Sequence, residues 1–249
     1  MKTVLITGCS SGFGLETAKY FLERGWKVVA TMRTPREDLF PPSENLRVLS
    51  LDVTKAESIR EAVEAAGPID VLVNNAGVGF LNAIEGTPME MVREIFETNT
   101  FGTMAMVQAI VPQFRQRKAG VIVNVTSTVT IKPLLLLSIY TASKTAINGF
   151  TESLALELEP FNIRAHLVLP GRAPDTAFGQ NARAKMTEFP EPYVGMVQSV
   201  MKRFAEDTGP ITHSQDVAEA VWQVVTDPSS PRRVPAGADA VEWSKTPLM

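Results

Sequence analysis

Short apolar runs alternate with segments of helical periodicity along most of the chain. The apolar runs, which are rich in β-branched and aliphatic residues, predict six strands at 4–6, 27–31, 46–51, 69–73, 121–125 and 165–169. Helical spacing predicts helices at 15–22, 59–66, 89–116 and 140–158, with Pro112 as a break or kink in the third. Because apolar strands separated by helices are typical of a parallel sheet covered on both faces, this alternation restricts the fold strongly.

The predicted fold class is α/β, with a doubly wound, mostly parallel sheet in three α/β/α layers, which is the Rossmann fold. The composition is that of an ordinary globular protein, with 45% hydrophobic and 20% charged residues. We expect one domain over 1–249. The segment 174–213 breaks the alternation, and its apolar residues from Tyr193 to Phe204, spaced 3, 1, 3, 1, 3, predict a single helical stripe. We interpret 174–213 as a substrate lid inserted in the domain.

Local patterns near the C-terminal part of the chain predict where elements begin and end. The run Thr212-His213-Ser214-Gln215 resembles a capping box that begins a final helix. The proline-rich patches at 35–42 and 228–235 are short, and we expect both to be surface loops.

Charge and residue counts argue against several classes of protein and site. A net charge of -3 supplies no basic field for nucleic acid. The single cysteine, Cys9, excludes an internal disulfide, and the two histidines, His166 and His213, lie far apart, so we expect no metal site. No apolar run approaches the roughly 20 residues that span a bilayer, and the initial apolar run is too short for a signal peptide. We therefore expect a cytoplasmic protein without a membrane partner.

A glycine-rich loop follows the first strand and opens the first helix. Gly8 suits a tight turn, Gly12 lets the backbone approach phosphates closely, and Gly14 allows close helix–strand packing. The N-terminus of the helix offers unpaired N–H groups to a pyrophosphate, and Ser10 and Ser11 add hydroxyl donors beside Phe13. The pattern indicates dinucleotide binding; the alternative is a strand-to-helix turn that binds no ligand.

The end of the second strand favours NADP(H) over NAD(H). The run Ala30-Thr31-Met32-Arg33 lacks the carboxylate that would bond the ribose hydroxyls of NAD and repel the extra phosphate of NADP. Arg33 instead offers charge-assisted hydrogen bonds to a 2′-phosphate. We predict NADP(H) as the preferred cofactor, with NAD(H) and an ordinary exposed arginine as the alternatives.

Polar residues stand at the ends of the later strands. Asn74-Asn75-Ala76-Gly77 ends the fourth strand, Ser127 the fifth, and Pro170-Gly171 the sixth. Tyr140 and Lys144, at i and i+4, lie on one face of the following helix. Because open α/β sheets bind ligands at the carboxyl ends of their strands, these positions predict one site.

Taken in this order and spacing, these residues resemble the short-chain dehydrogenases/reductases of the single-domain type. The resemblance covers nearly the whole chain, and 30–33 looks like NADP-using members, including some hydroxysteroid dehydrogenases. It implies that Tyr140 is the acid in carbonyl reduction and the base in alcohol oxidation. Lys144 would lower the pKa of that phenol and bond the nicotinamide ribose. Ser127 would hold the substrate oxygen, and Asn99 a water that links Lys144 to solvent.

The same resemblance implies the remaining contacts. Besides the glycine loop, Arg33, Tyr140 and Lys144, the cofactor would be contacted by Asp52, Val53, Asn75, Ala76, Gly77, Pro170, Gly171 and Ala173. One departure follows the sixth strand, where Ala173 replaces the usual β-branched residue and Thr176 lies one position late. A homodimer or homotetramer is implied as well.

The substrate side is apolar in sequence. Together with Ser127 and Tyr140, we expect the carbonyl or alcohol substrate to contact Val129, Leu135, Leu136 and Phe178, which predict a fairly apolar ketone, aldehyde or secondary alcohol. Arg172, Arg183 and Lys185 leave an anionic substrate as an alternative, and the apolar side chains could also be core or subunit contacts.

Two other functions stay open at this point. A redox-sensing regulator could bind NADP without catalysis, although such proteins typically lose the Tyr/Lys pair that is present here. A lyase of the halohydrin dehalogenase type would carry arginine in place of Lys144 and would lack the glycine loop. Cys9 lies within the glycine loop, and we interpret it as a small structural residue rather than a redox sensor.

Overall fold

The computed structural model describes residues 1–245 and contains a seven-stranded sheet. Its strands are β1 (Thr3–Thr7), β2 (Lys27–Met32), β3 (Leu46–Ser50), β4 (Val71–Asn74), β5 (Gly120–Val125), β6 (Ile163–Pro170) and β7 (Arg233–Ala236). All neighbouring pairs are parallel, in the order β3-β2-β1-β4-β5-β6-β7. The predicted doubly wound fold is confirmed, and the strand order reverses between β1 and β4.

Nine helices of at least seven residues lie between or after these strands within the described part of the chain. They are α1 (Gly12–Glu23), α2 (Ala56–Ala66), α3 (Met89–Phe96), α4 (Gly102–Arg117), α5 (Ser138–Leu158), α6 (Phe178–Ala184), α7 (Val194–Glu206), α8 (Ser214–Thr226) and α9 (Ala238–Ser244). No helix in residues 1–245 is both long and apolar enough to cross a membrane.

Apolar residues cover both faces of the sheet, as continuous apolar strands require. Val4 and Ile6 of β1 face one layer, where Phe21 of α1 and Val221 of α8 pack against them. The side chain between them, Leu5, faces the other layer, which α2, α4 and α5 supply. Side chains of adjacent strand residues point to opposite faces, so one short run serves both cores.

The predicted long helix at 89–116 is interrupted, but not at its proline. A π-turn at Glu97–Phe101 separates α3 from α4, and α4 continues through Pro112 to Arg117. The expected break at Pro112 is therefore wrong, and a kink there stays a prediction. A π-turn inserts one extra residue in the helical hydrogen-bond ladder and leaves little mark in the apolar periodicity.

Two further expectations need correction in the C-terminal part. The patch 228–235, expected to be a loop, ends in the edge strand β7, where Pro235 is tolerated because an edge strand needs fewer backbone donors. The cap of α8 lies one residue later than expected: its first residue is Ser214, and the Asp216 carboxylate accepts the His213 backbone N–H at 2.8 Å.

The segment 174–213 holds α6 and α7. Most of its apolar stripe, including Val197, Val200 and Phe204, packs against Leu81 and Leu136. Met196 departs from the expectation, because it is exposed instead of packed.

Candidate active site

The polar residues at the strand ends converge at one edge of the sheet, at and beside the point where the strand order reverses. Such a crevice outside the carboxyl ends of the strands is where open α/β sheets bind ligands. The glycine loop follows β1, Asn75 follows β4, and Ser127 follows β5. The next helix, α5, brings Tyr140 and Lys144 from its first two turns.

Backbone geometry in the glycine loop requires glycine at specific positions. Gly8 has φ +75° and Gly12 has φ +55°, both in the left-handed region. A Cβ atom at Gly8 would lie 2.8 Å from the Cα of Ala76, and one at Gly14 would overlap the carbonyl oxygen of Gly8. The loop therefore lies directly against the end of β4, and no side chain at Gly8 or Gly14 separates the two.

Hydrogen bonds join the same two strand ends. The Thr7 hydroxyl accepts the backbone N–H groups of Asn75 at 3.0 Å and Ala76 at 2.9 Å. The Asn75 amide donates in return to the carbonyl oxygens of Thr7 at 2.9 Å and Gly8 at 3.2 Å. These bonds tie the glycine loop to the end of β4. Thr7 was not predicted as a site residue.

Arg33 and Asp52 lie near one another beyond the ends of β2 and β3. Arg33 is exposed. Partial burial opposes ionisation of Asp52, but hydrogen bonds from Thr54 and the charges of Lys55 and Arg33 together hold its pKa below the usual range. Val53 instead turns into the core, where it packs against Gly102 so closely that a Cβ there would lie 2.8 Å from it.

Ser127, Tyr140 and Lys144 are all buried in the site. Burial raises the pKa of Tyr140, and a hydrogen bond with the Ser127 side chain acts in the opposite direction. Burial lowers the pKa of Lys144 to about 8. The Lys144 ammonium donates to the carbonyl oxygen of Val125 at 3.1 Å, which ties α5 to the end of β5.

Asn99 lies in the π-turn, beside the lysine. A Cβ atom at Gly77 would be 3.2 Å from both Asn99 Oδ1 and Lys144 Nζ, so the three residues meet at one point. The Asn99 side chain accepts the backbone N–H of Val78 at 2.8 Å and donates to its carbonyl oxygen at 2.9 Å. It also donates to Ser143 Oγ at 3.1 Å. The side chain thus fixes the turn after β4 against the first turns of α5.

A buried polar chain that sequence reasoning missed supports this helix. The Asn74 amide donates to Asn124 Oδ1 at 2.9 Å, and the Asn124 amide donates to Thr151 Oγ1 at 2.8 Å. The chain runs from β4 through β5 to α5 and holds the helix in register with the sheet. Its one sequence signal is an asparagine inside the apolar strand 120–125, since buried polar groups need partners.

The four predicted substrate residues differ in their surroundings. Val129 and Leu136 are buried, and Leu135 is exposed. The Phe178 ring lies edge-on to the Tyr140 ring, with 5.5 Å between centroids. A Cβ atom at Gly79 would lie 2.8 Å from the Phe178 ring, so α6 rests directly on the turn after β4.

The loop after β6 and the cysteine complete the site. Pro170 ends β6, and Gly171 donates its N–H to Thr212 Oγ1 at 2.9 Å. The Thr176 methyl group lies beside Gly12, 3.5 Å from where a Cβ atom of Gly12 would be.

Cys9 is fully buried, and burial raises the pKa of its thiol to about 12. The described residues also contain no group of three or more His, Cys, Asp or Glu side chains placed to hold a metal ion.

Comparison with known proteins places this geometry in a family. Residues 2–187 match the family model described as short chain dehydrogenase. A 3-ketodihydrosphingosine reductase from Bacteroides thetaiotaomicron is 35% identical over 239 residues, which cover 94% of this chain and 87% of that protein. Human retinol dehydrogenase 8 is 35% identical over 93% of this chain and 80% of its own length.

A solved structure gives the same result for the whole architecture. A short-chain dehydrogenase from Streptomyces avermitilis superposes with a TM-score of 0.85 at 31% sequence identity, covering 98% of this chain and 90% of that one. Family match, identity and architecture agree: this chain belongs to the short-chain dehydrogenases, a family of oxidoreductases.

Proposed function

We propose that the protein transfers a hydride between NADP(H) and a fairly apolar ketone, aldehyde or secondary alcohol. The observation that carries this proposal is the burial of Ser127, Tyr140 and Lys144, with Ser127 hydrogen-bonded to Tyr140, at the same sheet edge as a glycine loop that leaves no room for a Cβ atom at Gly8 or Gly14. A buried phenol and a buried ammonium are proton-transfer groups with perturbed pKa values, as expected of a catalytic site.

In this proposal, Tyr140 moves the proton. During reduction its hydroxyl donates to the substrate oxygen, and during oxidation its phenolate accepts from the substrate hydroxyl. Ser127 holds the same oxygen and stabilises the charge that develops on it. Because burial raises the pKa of Tyr140, the phenol is protonated at neutral pH and ready for reduction. The Lys144 ammonium favours the phenolate needed for oxidation.

The chain also offers a fitting cradle for the cofactor. The N-terminus of α1 and the loop 8–14 suit a pyrophosphate, and Arg33 would supply a cation to a 2′-phosphate. Asp52, Asn75, Ala76 and Gly77 would contact the adenosine half, and Lys144, Pro170, Gly171 and Ala173 would contact the nicotinamide half. The bound cofactor supplies or accepts the hydride. Thr176, whose methyl group lies beside Gly12, would cover the pyrophosphate in spite of its late position in the sequence.

Apolar character on the substrate side supports an apolar carbonyl or alcohol. The Phe178 ring, which lies against Tyr140, and Val129, which is buried two residues after Ser127, supply apolar side chains for such a substrate. Two cations that would suit an anionic substrate already have partners: Arg172 pairs with Asp207 at 3.4 Å, and Lys185 pairs with Glu94. The two curated relatives are named for a keto compound and an alcohol, both largely hydrocarbon.

Turnover tests the proposal directly. The protein is mixed with NADPH and a panel of alkyl and aryl ketones and aldehydes, while the absorbance of the reduced nicotinamide is followed. We expect consumption with apolar carbonyls, and a rate of the reverse alcohol oxidation that rises with pH, because the reverse reaction needs the phenolate of Tyr140. Cofactor binding without turnover on any carbonyl or alcohol would favour a redox-sensing regulator instead.

A further inference from the structure

Helix α9 carries a buried carboxylate that the proposed proton transfer does not use. Asp239, in the first turn of α9, is only 2% exposed. One of its oxygens accepts the backbone N–H of Arg172 at 2.6 Å, and the other accepts the hydroxyl of Thr212 at 2.6 Å. The ion pairs within residues 1–245 do not include Asp239, since the side chain of Arg172 turns to Asp207.

Thr212 completes the connection to the turn after β6. Its hydroxyl oxygen accepts the N–H of Gly171 at 2.9 Å, and its backbone N–H donates to the carbonyl oxygen of Arg172 at 2.8 Å. The hydroxyl has one proton to give, and the charged, nearer Asp239 oxygen is a better acceptor than the Ala236 carbonyl oxygen at 2.8 Å. Two backbone N–H groups, of Gly171 and Arg172, are thus held by the side chains of Thr212 and Asp239, and the Arg172 carbonyl oxygen is held by the Thr212 backbone.

Two glycines make this contact close enough. A Cβ atom at Gly171 would overlap the Asp239 carboxylate, and one at Gly237 would overlap the Thr212 hydroxyl. Gly237 also has φ +99°, in the left-handed region. The carboxylate therefore packs on the backbone of the turn itself and not on a side chain.

The same helix contacts a second loop of the site. The Lys132 ammonium lies 4.4 Å from the centre of the Trp243 ring, a cation–π contact between α9 and the loop that begins at Ser127. Since β5 and β6 are neighbours in the sheet, α9 touches both loops that emerge beside the reacting groups.

We propose that Asp239 is a positioning residue, which acts directly on Arg172 and through Thr212 on Gly171 to hold the turn after Pro170 against the nicotinamide half of the cofactor. This inference rests on the proposed function. A buried carboxylate bonded only to uncharged donors costs folding free energy, and a turn with a purely structural role would be held at lower cost by neutral partners. The proposed role explains why a carboxylate stands here in spite of that cost: it fixes the position of backbone that contacts the cofactor.

Binding of the whole cofactor, compared with binding of its adenosine half alone, tests the inference. Dissociation constants are measured for NADPH, by its fluorescence, and for 2′,5′-ADP, which has the adenosine half alone. If the unsubstituted protein binds NADH more tightly than NADPH, NADH replaces NADPH as the whole cofactor and ADP replaces 2′,5′-ADP as the adenosine half. The variants are Asp239→Asn, Thr212→Val, which removes the hydroxyl and keeps the shape, and Thr212→Ser, which restores the hydroxyl. Glu242→Gln is the control, because it removes the same charge from an exposed position of α9.

We expect Asp239→Asn and Thr212→Val to raise the dissociation constant of NADPH about tenfold, as the loss of one charge-assisted hydrogen bond would, with that of 2′,5′-ADP unchanged. Thr212→Ser and Glu242→Gln should match the unsubstituted protein. Equal weakening of both ligands, or no weakening of NADPH, overturns the inference. If the Asp239→Asn protein fails to fold, the comparison of Thr212→Val with Thr212→Ser tests the inference in its place. An unsubstituted protein that binds neither dinucleotide contradicts the proposed function first.

Discussion

At the scale of single residues, the glycines of this chain differ in what a methyl group would meet. A Cβ atom at Gly14 would overlap the backbone of Gly8 and the amide of Asn75, whereas nothing lies within 4 Å of that position at Gly149, in α5. We predict that Gly14→Ala destabilises the fold by about 1–3 kcal/mol and weakens NADPH binding. Gly149→Ala should stabilise it by about 0.5–1 kcal/mol.

Urea unfolding and NADPH titration of both variants check this prediction. The two substitutions add the same methyl group, so a difference between them reports the local space and not the chemistry of alanine. A Gly14→Ala protein as stable and as tightly binding as the Gly149→Ala protein would contradict the account of the loop.

Lys144 makes stability depend on pH. Burial lowers its pKa from the ordinary 10.5 to about 8, so between these values the unfolded chain holds a proton that the folded chain has released. Stability contributed by this group therefore rises as pH rises from about 8 to 10.5 and is lowest below 8. We predict that Lys144→Met stabilises the protein at pH 7 by up to roughly 3 kcal/mol, and that this advantage shrinks over that range.

Unfolding in urea at a series of pH values measures the difference in the free energy of unfolding between the unsubstituted protein and Lys144→Met. The contributions of the other titrating groups largely cancel in this difference. Lys202→Met, at an exposed lysine, is the control, with an expected change below about 0.5 kcal/mol. A Lys144→Met protein that is less stable than the unsubstituted protein at pH 7 would show that the ammonium is not a destabilising buried charge.

Arg33 sets the expected choice of cofactor. We predict that Arg33→Ala raises the dissociation constant of NADPH about tenfold and leaves that of NADH unchanged, because only NADPH carries the 2′-phosphate. Arg36→Ala is the matched control, since Arg36 is also exposed but pairs with Asp38 at 2.6 Å. Equal loss for both cofactors would show that Arg33 does not read the phosphate.

At the scale of elements, α6 places an aromatic side chain edge-on to the Tyr140 ring. Phe178 is 39% exposed, so Phe178→Ala should cost little stability, but it removes an apolar wall next to Tyr140. We predict a several-fold rise in KM for apolar ketones with a smaller change in kcat. Leu156→Ala, about 24 Å along α5 from Tyr140, should leave KM unaltered. Steady-state kinetics with one ketone compares both variants with the unsubstituted protein. Equal KM values for the two variants would show that Phe178 does not contact the substrate.

Elements differ in how far their sequence reveals them. The central strands were predictable because both faces are buried and the apolar run is continuous. The edge strand β7 was not, since it is four residues long, contains Pro235 and is exposed at Arg233. The π-turn at Glu97–Phe101 was hidden as well, because it changes a hydrogen-bond register and not a hydropathy pattern.

At the scale of the whole molecule, the fold joins residues that are distant in sequence. Ser127, Tyr140 and Lys144 could be grouped from the sequence because a parallel sheet brings its carboxyl ends to one edge. Thr212 and Asp239 could not, since their contacts with Gly171 and Arg172 depend on where α9 docks after the last strand. Backbone contacts of this kind have no periodic signal in the residues that make them.

The central claim is that Tyr140 transfers a proton beside a bound nicotinamide cofactor. Its most direct test is one experiment on Tyr140→Phe, which removes the hydroxyl and keeps the ring: the dissociation constant of NADPH and the rate of ketone reduction, measured on the same preparation. We predict unchanged NADPH binding and a rate lowered by about 10² to 10⁴. A Tyr140→Phe protein that binds NADPH and reduces the ketone at the unsubstituted rate would contradict it.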